Sequence, residues 1–223
     1  MSAKYKIIYE DNMLLAVDKP AGLLSQGDIS RSENLLDLLK GYLKERYGKP
    51  GNVFLGLVHR LDRNTSGVIC FAKNSKSASR LSGQFRTNTV ARIYHVVVEG
   101  HPARRRGSLT DRLGKDEDEN IVTAEENGKE ATLHYSVLKQ GPGAALLEVR
   151  IDTGRPHQIR FQLGRAGMPV LGDKKYGVAS QHIGRPAVHA ASLTLTHPVS
   201  QERIVLAAPH PADIQDLIRK AVG

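Results

Sequence analysis

The chain has one cysteine, Cys70, in 223 residues. A single cysteine excludes an intrachain disulfide and the zinc sites built from several thiolates. It lies in the apolar run Val68-Ile69-Cys70-Phe71-Ala72 and reads as a small buried hydrophobe. No run of about 18 apolar residues occurs, so no membrane-spanning helix is expected. The opening Met1-Ser2-Ala3-Lys4-Tyr5-Lys6 carries no apolar signal segment, and the expectation is a soluble, cytoplasmic protein. Several catalytic signatures are missing as well. There is no G-x-x-x-x-G-K-[ST] phosphate loop. Ser66 sits between Thr65 and Gly67 rather than in a G-x-S-x-G elbow. His59-Arg60-Leu61-Asp62 superficially resembles a kinase catalytic loop, but no Gly-rich loop and no Asp-Phe-Gly accompany it. The nine histidines are scattered without His-Glu-x-x-His spacing, so no metal site and no metal catalysis are expected.

What the chain does have is positive charge: 32 Lys and Arg against 23 Asp and Glu, a formal net charge of +9. Such a surplus suits an anionic partner, nucleic acid before membrane surface, although a basic protein with no anionic ligand has the same composition. The length allows one large domain or two small ones. Neither repeats nor a linker divide it, so a single catalytic domain over 1–223 is expected.

Periodicity gives the elements. Residues 6–10 and 13–18 read as a hairpin around Asp11-Asn12, broken by Lys19-Pro20-Ala21-Gly22. An amphipathic helix is expected over 32–46, with Leu35, Leu38, Leu39 and Tyr42 at helical spacing. Residues 53–58 and 68–72 read as buried strands. Asn74 or Ser75 can cap a helix carrying Ala78, Leu81 and Phe85 on one face. Strands are expected over 90–99, 131–138 and 144–152, a helix over 157–165 stopped by Gly167, a closing strand pair over 188–196 and 203–207, and a terminal helix over 211–222. Residues 101–120, with Arg104-Arg105-Arg106 and Asp116-Glu117-Asp118-Glu119, read as a solvated excursion or a ruffled hairpin extension. No regular βαβ rhythm appears. The class is therefore α+β, a mixed, mainly antiparallel sheet flanked by helices.

Two polar knots interrupt this pattern. The first, His59-Arg60-Leu61-Asp62-Arg63-Asn64-Thr65-Ser66-Gly67, sets one carboxylate among basic groups between two apolar runs. The second is Thr153-Gly154-Arg155-Pro156-His157-Gln158-Ile159-Arg160. A carboxylate such as Asp62 can serve as nucleophile or base toward an electron-poor carbon. Arginine suits it as a partner, because its planar fork holds both oxygens. Asp62 can equally be a turn residue that caps the next element. A hydrolase acting through Ser66 and a non-catalytic RNA-binding protein are the competing classes.

The knots resemble the signature motifs of the RNA pseudouridine synthases, in the branch typified by the bacterial large-ribosomal-subunit synthase A (the RluA family). Ala72-Lys73 follows the first knot as in the family. Arg92 with Tyr94 resembles its tyrosine motif, and Asp18-Lys19-Pro20-Ala21-Gly22 its N-terminal landmark. Gly172-Asp173 with Tyr176-Gly177, and His189-Ala190 through His197-Pro198, resemble the C-terminal ones. The set runs in order over nearly the whole chain. Two departures stand out. Many members carry an N-terminal S4 RNA-binding domain, which is not expected here, and Phe161-Gln162 follows Arg160 where many have valine and histidine.

The resemblance implies isomerisation of uridine to pseudouridine in structured RNA, without a cofactor. The expected substrate is a stem-loop of ribosomal RNA, transfer RNA or both, handled by a monomer. It implies that Asp62 is the essential carboxylate, that Arg160 pairs with it and that Tyr94 packs against a flipped uracil. Arg60 would fill the space that the base leaves. Arg63, Lys73 and Arg155, with Arg80 and Arg86 beyond the motifs, would contact phosphates. Thr65, His157 and Gln158 complete the expected substrate-binding set.

Overall fold

In the computed structural model, which describes residues 5–28, 32–116 and 119–223, the chain enters structure with a hairpin built on one aspartate. Strands β1 (Lys6–Glu10) and β2 (Leu14–Lys19) pair antiparallel. Between them, one Asp11 carboxylate oxygen accepts the N–H groups of Met13 and Leu14 at 2.7 and 2.8 Å. The other oxygen accepts the Tyr9 hydroxyl at 2.9 Å and meets His197 Nε2 at 2.8 Å. Helix α1 (Leu35–Arg46) starts three residues later than the apolar spacing predicts, because the Asn34 side chain caps it through the Asp37 N–H. Of the run 53–58 only Gly56–Leu57 (β3) forms a strand. Strand β4 (Ser66–Ala72) is buried at every position and lies against both β2 and β3. Helix α2 (Ser75–Arg86) is capped by Asn74, which accepts the Ser77 N–H at 2.8 Å.

The remaining strands are β5 (Ala91–Glu99), β6 (Arg106–Asp116), β7 (Ile121–Ala124), β8 (Lys129–Gln140), β9 (Ala144–Ile151), β10 (Val188–Thr196) and β11 (Arg203–Ala207). Helix α3 (Gln158–Arg165) follows β9, and α4 (Ala212–Leu217) follows β11. The chain divides into two compact units, Met1–Val90 with Ser192–Pro209, and Ala91–Ala191 with His210–Gly223.

In the first unit the strand order is β1-β2-β4, with β3 on β4 and the second half of β10 paired with β11. Its core joins Leu14, Ala16, Val68, Cys70, Leu81, Leu193, Leu195 and Leu206. Each fully buried aliphatic side chain of this kind contributes about 1.5–3 kcal/mol. Cys70 is the buried hydrophobe expected, and burial pushes its thiol up to about 12. In the second unit the order is β5-β9-β8-β6-β7, antiparallel throughout. Leu113, Val122 and Ala131 form a small cluster there against Phe161 and Tyr176. The α+β class with a mainly antiparallel sheet is thus what the sequence folds into.

Two further readings are decided by the structure. Of the two readings of 101–120, the hairpin extension holds for 106–116 and the solvated excursion does not. These residues form β6, in register with β8 from Arg106 opposite Ser136 to Leu113 opposite Lys129. The acidic run partly escapes this test, since 117–118 lie outside the described residues. The terminal segment is not one regular helix either: α4 ends at Leu217, and Ile218–Val222 continues as a π-helical turn.

Candidate active site

The structure gathers the predicted site residues into two clusters, one in each unit. In the first, the turn after His59 is tied down from three directions. The Asp62 carbonyl accepts the Thr65 N–H at 3.0 Å, so Arg63 and Asn64 form the tip of a tight turn. The Arg63 carbonyl accepts the Gly22 N–H at 2.8 Å and Lys19 Nζ at 3.0 Å. Arg63 Nε returns a bond to the Gly22 carbonyl at 3.0 Å. Lys19 is completely buried and donates also to the carbonyls of Leu23 (2.8 Å) and Pro20 (3.0 Å). On the other side of Asp62, Ser25 Oγ donates to the Leu61 carbonyl at 2.8 Å and accepts the Leu61 N–H at 3.1 Å. Asp62 itself is half-buried between these pinned neighbours. Gly67 ends the turn at φ 114°, a conformation that favours glycine, opposite Lys19 in the β2–β4 ladder.

His59 serves the same frame. Its Nε2 accepts the Cys70 N–H at 3.0 Å, and its ring stacks on Phe85 with centroids 4.6 Å apart. That nitrogen is therefore committed to the sheet. A hydrolase built on Ser66 would need an exposed hydroxyl, and Ser66 is buried.

The remaining first-unit residues divide by exposure. Arg60 and Arg63 are exposed, and Thr65 is buried. Lys73 lies beyond the far end of β4. Its side chain is 7% exposed and pairs with Glu10 at 2.8 Å, with the ammonium 4.8 Å from the centre of the Tyr47 ring. An ion-paired, buried lysine is poorly placed to hold a phosphate.

In the second unit, Gln158 organises the second knot from within. Its side-chain oxygen accepts Thr153 Oγ1 at 2.8 Å and the Arg155 N–H at 3.1 Å, and its amide donates to the Thr132 carbonyl at 3.1 Å. Arg92, buried, supports the same turn by donating from Nη2 to the Asp152 carbonyl at 2.7 Å. Tyr94 stands two residues further along β5, also buried and opposite Val149. Arg155 is half-buried and donates from Nε to the Glu130 carbonyl at 3.0 Å.

His157 enters α3 in the left-handed region at φ 50°, and its Nδ1 meets the Tyr176 hydroxyl at 2.8 Å. That hydroxyl also accepts the Val122 N–H at 2.7 Å, so the tyrosine links β7 to the start of α3. Arg160 forks onto Asp173, with Nε to Oδ2 and Nη2 to Oδ1 both at 2.7 Å. Burial alone would push the Asp173 carboxyl up. The arginine fork and the N–H groups of Lys175 and Tyr176 outweigh it and hold the carboxyl below the usual carboxylate value.

Gln162, at the position that departs from the family pattern, is buried and donates to Asp111 at 2.8 Å and to the Leu109 and Ala131 carbonyls. Sequence reasoning gave no role to Lys19, Ser25, Arg92, Asp173 or Tyr176. All but Ser25 stood in segments already noted as landmarks, and that was their only signal. Among the described residues no group of three or more His, Cys, Asp or Glu is placed to hold a metal ion, and no helix is long and apolar enough to cross a membrane.

Residues 13–164 match the family described as RNA pseudouridylate synthase. An uncharacterised RNA pseudouridine synthase of Bacillus subtilis is 34% identical over 216 residues, covering 96% of this chain and 71% of the relative. The ribosomal large subunit pseudouridine synthase D of Zymomonas mobilis is 32% identical over 228 residues, covering 96% and 72%. Among solved structures, human RNA pseudouridylate synthase domain containing 1 superposes with a TM-score of 0.73 at 26% identity, over 93% of this chain and 84% of that one. Human RNA pseudouridylate synthase domain containing 4, at 24% identity and a TM-score of 0.80 over 96% of this chain and 92% of that one, shares the fold. The chain belongs to the RNA pseudouridylate synthase family. It is an isomerase that converts uridine to pseudouridine in RNA.

Proposed function

We propose that Asp62 is the essential carboxylate of this isomerisation and acts on the ribose of the target uridine, that Arg160 orients it, and that Tyr94 packs against the uracil. The observation that carries the reading is the clamp on the Asp62 turn. Lys19, Gly22 and Ser25 tie the backbone on both sides of this one carboxylate. Fixing a reacting group before the substrate arrives is how a site lowers a barrier without a cofactor.

In the reaction the N1–C1′ bond breaks, the base turns and a C5–C1′ bond forms. The C5 proton leaves to solvent and N1 takes one up, so nothing is oxidised or reduced. The base must first leave its stack, at a cost of a few kcal/mol that is least in a loop. Exposed Arg60 occupies the vacated space, while Arg63 and Arg155 hold flanking phosphates. Thr65, His157 and Gln158 act through the turns they build, and Lys73 through its pair with Glu10. The two units serve as one catalytic domain.

The substrate is a stem-loop of ribosomal RNA, with transfer RNA as the alternative, which sets the enzyme's work in the cytoplasm. The names of the relatives from Zymomonas mobilis and from Vibrio cholerae, the latter a ribosomal large subunit pseudouridine synthase C, support the ribosomal choice. The test is tritium release from C5-tritiated uridine in large-subunit ribosomal and transfer RNA transcripts, offered separately. Release from the ribosomal transcript alone is the expected result. Release from transfer RNA alone moves the substrate class, and release from neither overturns the reading.

A further inference from the structure

The segment Gly172–Gly177 packs around α3 in a way that the isomerisation itself does not explain. Asp173 is completely buried, and both of its oxygens carry bonds to Arg160, whose side chain is 12% exposed. Tyr176, three residues on, lies with its ring 5.1 Å from the Arg160 guanidinium carbon. Its hydroxyl bridges the Val122 N–H and His157 Nδ1. One short loop thus grips α3 at its first residues and at Arg160.

The loop is itself rigidly set. Asp173 Oδ1 accepts the Lys175 N–H at 3.0 Å, and the Gly177 N–H donates to the Asp173 carbonyl at 3.1 Å. Gly172 has φ 77°, and a Cβ there would stand 2.1 Å from the Arg185 carbonyl oxygen, so no other residue fits. A carboxylate so fully desolvated is costly unless it is paired and hydrogen-bonded, and the Arg160 fork with the Lys175 and Tyr176 N–H groups supplies both. The carboxylate in turn fixes the plane of one guanidinium, through Nε and Nη2.

We infer that Asp173 is a positioning residue for the isomerisation: by gripping Nε and Nη2 of Arg160 it fixes that guanidinium in the orientation its proposed role requires. The inference rests on the role proposed above for Arg160. Asp173 touches neither substrate nor reacting atoms and acts only through the arginine.

Asp173→Asn is the informative change, because it keeps an oxygen for the Lys175 and Tyr176 N–H groups and removes the fork. If Asp173 only shaped its own loop, this variant would turn over normally. The expected result is a fall in kcat of at least 30-fold, with KM for the RNA within about threefold of wild type. A normal kcat in folded Asp173→Asn overturns the inference. Should that variant fail to fold, Arg160→Lys decides, since it retains the charge and loses the planar fork. A comparable loss in kcat is expected, and near-normal turnover overturns the inference. Arg160→Ala separates the two levels. Normal turnover there removes the role of Arg160 itself, whereas an inactive Arg160→Ala beside a normal Asp173→Asn removes only the role of Asp173.

Discussion

Lys19 has no access to water and donates to three carbonyls, one of them that of Arg63, 44 residues away in sequence. Its task is to hold the turn that presents Asp62. Lys19→Met keeps the length of the side chain but leaves those carbonyls without the lysine donor. The Arg63 carbonyl keeps the Gly22 N–H, and each buried carbonyl left without a donor costs about 1–3 kcal/mol, so denaturant unfolding should show a loss of about 3 kcal/mol. Turnover should fall with it. Unchanged stability would mean that the turn is held by Gly22 and Ser25 alone. The sequence carried the motif Asp18-Lys19-Pro20-Ala21-Gly22, but motif and partner meet only in three dimensions, so the role was not legible. Gln158 shows the converse. It stood among the expected substrate contacts because it lies in the second knot, yet its side-chain bonds run inward to Thr132, Thr153 and Arg155. A knot read as a string does not reveal which of its polar groups face the chain itself.

At the level of elements, the apolar pattern located β10 and β11 to the residue, because each alternates or runs apolar against its partner. It left β6 undecided between a hairpin extension and a solvated excursion for a specific reason. The face of β6 directed at α3 contains Gly107, Leu109, Asp111 and Leu113, so a glycine and a carboxylate interrupt the alternation. Asp111 is accommodated there because Gln162 donates to it and Arg165 lies 3.4 Å away.

The C-terminal helix depends on a contact that the sequence did not suggest. His95 on β5 and His210 just before α4 meet at 2.6 Å between Nδ1 and Nε2, with the His189 ring 5.5 Å from that of His210. Burial lowers both His95 and His210 below the ordinary value of 6.5. The folded state therefore resists protonation that the unfolded chain accepts. The contribution is complete above about pH 6.5 and is lost as pH falls through the lowered folded values. Thermal stability should decline between pH 7.5 and 5.5, and the decline should be shallower in His95→Gln/His210→Gln. An identical pH profile in that double variant would contradict the assignment.

Over the whole molecule, each compact unit holds one of the two knots, and each knot is stapled by residues of its own unit. The Asp62 turn is tied by Lys19, Gly22 and Ser25, and the second knot by Gln158, Arg92 and Asp173. The class of fold and the two knots were legible from pattern and resemblance, and the resemblance alone singled out Asp62 as the proposed carboxylate. The staples were not legible, because burial and long-range bonds select them. The central claim is that Asp62 performs the chemistry and does not merely turn the chain. The most direct measurement is single-turnover conversion of C5-tritiated RNA by wild type and Asp62→Asn, with RNA affinity measured on the same preparations. The prediction is conversion by wild type, none by Asp62→Asn, and affinities within about threefold of each other. Conversion by Asp62→Asn at a rate near that of wild type would contradict it.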